Sequence, residues 1–168
     1  MDRFDGLLAR VSEQAGQLGI PLSKKIEPHV AVNRRAVRRF GACKYSGGRY
    51  TIELSARLQG AHDQACMQVL AHELLHTCPG CADHGTRWRG YAQRMNRAYG
   101  YDIRRTMGER ELGLPEPPAK YIVKCTRCGA RIERLRRSKL VAQPHRFRCR
   151  CGGELIVLQA ERQRGGAD

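Results

Sequence analysis

Two histidines four residues apart constrain this chain more than anything else in it. They stand in His72-Glu73-Leu74-Leu75-His76. On an α-helix, positions i and i+4 share a face, so both imidazoles can reach one zinc ion at roughly 2.0–2.1 Å. Glu73 lies beside that face. A carboxylate there can take the proton of a water as it attacks a carbonyl, once a metal has lowered that water's pKa towards about 7. By average composition such a match arises on the order of once in a few hundred chains of this length. The surrounding residues read as a helix, with Asp63 as its N-cap, Met67, Leu70, Ala71, Leu74 and Leu75 as its buried face, and an end near Thr77.

A catalytic zinc needs a third protein ligand and an open fourth position. His84 is the natural choice, eight residues past His76 and beyond a Pro-Gly turn that lets the chain double back. Asp83, Cys78 and Cys81 compete with it. Cys78-Pro79-Gly80-Cys81 reads as a helix-ending turn with two free thiols; a redox switch or a second metal-binding knuckle are the other readings.

The rest of the chain is organised around this helix. Phe4, Leu7, Leu8, Val11, Ala15 and Leu18 give an amphipathic helix over residues 3–18, stopped by Gly19. From Val30 to Leu54 the pattern is β: Val30 and Val32 alternate, Ala36 to Phe40 form a second run, and Tyr50, Ile52 and Leu54 a third. Gly47-Gly48 mark a hairpin. A further helix spans Thr86 to Tyr99, with Trp88, Tyr91, Ala92, Met95 and Tyr99 on one side and Gly100 as its cap. Leu114-Pro115-Glu116-Pro117-Pro118 is a stiff linker.

Beyond it, Cys125-Thr126-Arg127-Cys128 and Cys149-Arg150-Cys151 are separated by 20 residues. Four thiolates at this spacing fit a closed structural zinc site in a ribbon whose strands are Tyr121–Val123, Arg131–Leu135 and Leu155–Leu158. So short a segment needs the metal to fold. His145 is an alternative to one thiolate. A pair of disulfides is disfavoured because the N-terminus lacks the basic and apolar regions of an export signal.

Charge then separates the two parts. The chain carries +15, of which residues 1–118 hold 18 basic and 12 acidic side chains, and residues 119–168 hold 13 and 4. The smaller part therefore carries the larger charge, and a polyanion is the partner to expect there. Arg131, Arg134, Arg136, Arg137, Lys139, Arg146, Arg148 and Arg150 decorate the ribbon and suit phosphate contacts without base preference. Phe147 and Tyr121 either stack on unpaired bases or fill the ribbon core. Arg34, Arg35, Arg38 and Arg39 either extend that track or form a solvated face. Cys43 and Cys66 read as small buried hydrophobes, His29 and His62 as surface or capping residues, and Trp88 as packing against the motif helix. No apolar run is long enough to span a membrane.

The histidine motif, followed by His84-Gly85-Thr86-Arg87-Trp88, resembles the SprT-like (Spartan) metalloprotease family. Arg39-Phe40-Gly41-Ala42-Cys43, the hairpin, and Ile52-Glu53-Leu54 leading into the motif helix match its upstream stretch. The resemblance covers roughly residues 30–158. It implies an α+β fold: a zincin-like domain of helices plus a small antiparallel sheet over 1–114, a linker over 115–119, a zinc ribbon over 120–160 and a tail over 161–168. It also implies one catalytic zinc on His72, His76 and His84 with Glu73 as general base, and one structural zinc on Cys125, Cys128, Cys149 and Cys151. The implied activity is cleavage of proteins on or cross-linked to DNA, stimulated by DNA; the charge and the missing export signal lead one to expect a cytoplasmic, DNA-associated location. Two alternatives are a non-proteolytic nucleic-acid-binding zinc protein and a general metallopeptidase indifferent to DNA.

Overall fold

Ten of the thirteen residues of one helix, Asp63–Leu75, are buried, and everything in the larger part of the molecule is arranged to cover it. A computed structural model describes residues 2–115 and 119–159, and the chain divides into two units, Met1–Pro115 and Glu116–Asp168. Glu116–Pro118 of the expected linker and the tail from 160 onward lie outside the described residues.

In the first unit, α1 (Arg3–Gln17) buries Phe4, Leu7, Leu8, Val11 and Ala15, the stripe its periodicity predicts. Two polar contacts fix its start. Asp5 accepts a hydrogen bond from the Val30 amide at 2.8 Å and faces His29, tying the helix to the strand that follows. Arg3 reaches Asp63 and the carbonyls of Gln59 and Ala61, so α1 and the buried helix, α2 (Asp63–Leu75), begin together. Asp63 is therefore not the N-cap that its side chain suggests. His62 holds that position, and the Asp63 carboxylate is committed to Arg3.

Three strands form one sheet in the order β1 (Ala31–Asn33), β3 (Arg49–Ser55), β2 (Gly41–Ser46). The β2–β3 hairpin turns at Gly47-Gly48, both at positive φ as a two-residue turn of this twist requires. β1 runs parallel to β3, so the sheet is mixed rather than antiparallel; residues 34–48 leave β1 and return through the hairpin. The second strand starts later than its apolar run suggests. Residues 36–40 make bends, with Val37 66% exposed, and the ladder begins at Gly41. Ser55 fixes this stretch by donating to the Ala36 carbonyl at 2.6 Å.

One face of the sheet seals Ile52 and Leu54 against the core; the other carries Glu53. Burial pushes the Glu53 carboxyl up, but Lys44, Asn33 and Arg39 all donate to it and hold its pKa at about 2. After α2 the chain turns into α3 (Thr86–Tyr99), which buries Trp88, Ala92 and Met95 and is capped by Gly100. Residues 101–114 then return over α2. Gln68 holds the Asp102 amide at 2.9 Å and Asn96 the Ile103 amide at 2.8 Å, while Ile103 and Leu112 are buried.

The second unit is a three-stranded antiparallel sheet in the order β5 (Arg131–Arg134), β4 (Tyr121–Cys125), β6 (Leu155–Gln159), with a one-turn helix α4 (Lys139–Ala142). Its core is Val123, Cys125, Val141 and Leu155. Four buried side chains are too few to order such a unit by themselves. Among the described residues no helix is long and apolar enough to cross a membrane.

Candidate metal centre and active site

α2 delivers His72 and His76 to one side of its last turn, and the loop from Thr77 to Asp83 folds back to bring His84 against them. His84 Nε2 lies 3.0 Å from His72 Nε2 and 3.2 Å from His76 Nε2. The Nδ1 atoms of His72 and His76 are already engaged. His72 Nδ1 donates to the Arg104 carbonyl at 2.9 Å, and His76 Nδ1 to the Cys81 carbonyl at 2.7 Å. A carbonyl can only accept, so both rings carry their proton on Nδ1 and turn a lone pair inward at Nε2. Two lone pairs and a third imidazole facing one another call for a shared cation. Nitrogens at these separations can all lie about 2.0–2.1 Å from a single point, which fits zinc.

Burial favours the neutral form of His72 and His84. Burial, reinforced by His76 and His84, lowers the His72 pKa to about 4, and burial also shifts His84 down. Trp88 backs the cluster from α3. Its ring centroid is 4.8 Å from that of His72 and 4.6 Å from that of His84, and it stacks on His76 at 5.7 Å. Of the competitors for the third position, Asp83 accepts from the Gly85 amide at 3.0 Å, at the entry to α3. Cys78 and Cys81 are buried thiols that face each other; burial and the neighbouring sulfur push Cys78 to about 12.

Glu73 projects towards β2, the open edge of the sheet. Burial raises its pKa to about 7, against the opposing pull of the Cys43 backbone amide, which donates to it, and of the Arg39 guanidinium. β2 passes so close that a Cβ at Gly41 would sit 2.7 Å from Glu73 Cγ and Oε1, and 2.9 Å from Val69 Cγ1. Gly41 thus leaves the space that the carboxylate occupies. A cleft of about 430 Å³ opens here, lined by Cys43, Tyr45, Tyr50, Glu73, His76 and Ala82.

Sequence reasoning missed two contributors to this site. Cys43 packs against the core, as its small apolar side chain suggests, but is only half-buried and also stands on the cleft wall, and Gly41 serves as a close-approach glycine. A signal existed for both in the alternation along β2, which puts residues 41, 43 and 45 on one face.

In the second unit the four cysteines converge. Cys125 and Cys151 sulfurs are 3.6 Å apart, as are those of Cys128 and Cys149, and all four lie within 4.8 Å of one another. These separations are far beyond a disulfide bond of about 2.05 Å and fit thiolates about 2.3 Å from one zinc. The Cys128 and Arg127 amides point at Cys125 and lower its thiol to about 6. Gly153 lets the second pair close: a Cβ there would lie 2.7 Å from the Cys125 sulfur. His145 is outside this group. Arg131, Arg134, Arg136, Arg137, Lys139, Arg146, Arg148 and Arg150 are all exposed, and among the described residues only Arg148 of the eight meets a carboxylate, Glu154 at 3.7 Å. In the first unit Arg39 is committed to Glu53, while Arg34, Arg35 and Arg38 are exposed.

No curated protein matches the chain. The SprT-like family model matches residues 10–107, a span that contains α2, β2, the hairpin and all three histidines of the cluster. By its sequence and by the metallopeptidase-like site those residues build, the chain belongs to the SprT-like family.

Proposed function

We propose that the protein is a zinc-dependent endopeptidase of zincin type that cleaves proteins held on DNA, and that its second unit is a zinc ribbon that binds DNA. The observation that carries the peptidase reading is three converging imidazole nitrogens, one of them on His76, which lines a cleft together with Glu73. His72, His76 and His84 would hold the zinc. When bound it supplies a Lewis acid that polarises a carbonyl and lowers the pKa of water towards about 7.

The remaining work belongs to the chain. Glu73 takes a proton from the attacking water and returns it to the leaving amine. The Arg104 and Cys81 carbonyls keep His72 and His76 in the tautomer that exposes Nε2. β2 is an edge strand beside the cleft, and apart from the Cys43 amide, which Glu73 holds, its outward main-chain groups are where an extended peptide can pair.

The DNA part of the proposal is supported by the charge of residues 119–168 and by the eight exposed basic side chains around the four-cysteine cluster. Such a surface binds phosphates without sequence preference, so substrates are selected first by being on the same DNA. The test is digestion of a basic DNA-binding protein at low salt, with and without single-stranded DNA. Cleavage that rises with DNA and falls again as salt is added is the expected result. Cleavage indifferent to both would leave a general metallopeptidase and overturn the DNA reading.

A further inference from the structure

The face of the sheet that covers α2 extends past the core. Gly41, Cys43 and Tyr45 share it on β2; Leu54, Ile52 and Tyr50 share it on β3, opposite them in that order. Exposure rises along this face. Leu54 and Ile52 are sealed, Cys43 and Tyr50 are half-buried, and Tyr45 is 64% exposed. The last pair stands on the cleft that Glu73 and His76 line, the two rings 4.7 Å apart and tilted by 50°.

Three features make this pair more than an exposed hairpin tip. First, it is rigid on the Tyr50 side: the Tyr50 amide donates to the Lys25 carbonyl and its carbonyl accepts from the Glu27 amide, each at 2.8 Å. Those bonds point away from β2, so Tyr45 and Tyr50 are a non-hydrogen-bonded pair. In such pairs the side chains stand closest, and the Tyr45 main-chain groups turn to the open edge of β2. Second, every cleft-lining residue other than Glu73 and His76 is uncharged: Cys43, Tyr45, Tyr50 and Ala82. Third, the cations of the hairpin are already spoken for, Lys44 by Glu53 and Arg49 by Glu27, which removes the phosphate-binding groups a nucleic acid would need here.

We propose that Tyr45 and Tyr50 form a specificity wall that receives a bulky apolar side chain of the peptide substrate, within a residue or two of the scissile bond. The proposal rests on the reading of the cleft as a peptidase site and adds to it a preference that colocalisation on DNA does not supply. Rings held in place bind an apolar side chain with little further loss of freedom, and the peptide main chain paired on β2 carries that side chain past Tyr45.

The test uses the full-length, zinc-loaded protein and labelled unstructured peptides that differ at one central residue: Phe, Leu, Gly, Lys or Asp. Binding is measured by fluorescence anisotropy in the Glu73→Gln background, and cleavage is measured with wild type. The Phe and Leu peptides should bind about tenfold more tightly than the Gly peptide. Tyr45→Ala should level that difference, whereas Tyr45→Phe and Tyr50→Phe should keep it, since the rings and not the hydroxyls make the wall. Equal binding of all five peptides, or a preference for Lys or Asp, would overturn the wall. So would a Tyr45→Ala variant that loses affinity for a single-stranded oligonucleotide and not for peptides. An apolar preference in binding without cleavage by wild type would keep the wall and sink the peptidase; cleavage without any preference would do the reverse.

Discussion

At the scale of single residues, the site depends as much on a missing side chain as on those present. Gly41→Ala would drive a methyl into Glu73 Cγ and Oε1 without touching the histidines. Because a base displaced by about 1 Å can cost on the order of 100-fold in rate, kcat should fall by about that factor while zinc content stays at the wild-type value. Loss of zinc in this variant would contradict the division of labour between α2 and β2. Glu53 gives a second residue-scale prediction, this time on stability. Its pKa is lower folded, about 2, than in an unfolded chain, about 4.5, so its contribution is fully present above pH 4.5 and is lost as pH falls towards 2. With solvent screening at half-exposed Arg39 and Lys44, that contribution is about 1–2 kcal/mol. Denaturant titrations at pH 7 and pH 3 should show a wild-type loss of about that size that Glu53→Gln lacks. The clustering of the three histidines was legible because the spacing of His72 and His76 is local. Gly41 and Cys43 were not, because their importance comes from a helix more than twenty-five residues away in the chain.

Secondary-structure elements show where local pattern is a sufficient guide. α1 and α3 follow their apolar spacing to within a residue, and the Gly47-Gly48 turn sits where the dipeptide says it should. The misreadings have physical causes. Residues 36–40 look like a strand only by Ala36, Val37 and Phe40; preceded by Arg34-Arg35 and interrupted by Arg38-Arg39, they bend, and Ser55 satisfies the Ala36 carbonyl that a ladder would otherwise use. Asp63 loses its capping role to a long-range ion pair with Arg3. The parallel pairing of β1 with β3 is a matter of tertiary arrangement, which periodicity does not encode. The packing of α3 on α2 also supplies a reporter, since Trp88 is the single tryptophan and its ring stands against all three clustered histidines. Zinc added to metal-free protein should change tryptophan emission until the histidine cluster is filled. His84→Ala should abolish that change while zinc still binds to the cysteines. An emission change that survives in His84→Ala would place the reporting metal elsewhere.

Across the whole molecule, two units of different physics are joined in one chain. The first has a continuous core around α2 and should fold without metal. Among its described residues the second buries only the small cluster of Val123, Cys125, Val141 and Leu155, and its folding should require the ion. Chelation, or Cys149→Ser, should therefore remove the ordered amide signals of residues 120–159 and leave those of the first unit in place. Affinity for DNA should fall with the same change. In the intact protein, replacing Arg131 or Arg134 by Ala should lower the slope of log affinity against log salt by about 1 each, with no change in base preference. A ribbon that stays ordered without metal would contradict the role given to the cysteines.

The claim on which everything else stands is that His72, His76 and His84 hold the metal while Glu73 moves the proton. The most direct measurement pairs zinc content with the cleavage rate of one protein substrate for wild type, Glu73→Gln and His76→Ala. Glu73→Gln should keep the wild-type zinc content and lose cleavage by at least about 100-fold, as expected for removing a general base. His76→Ala should lose one zinc ion together with all cleavage. Full activity in Glu73→Gln, or an unchanged zinc content in His76→Ala, would contradict the account.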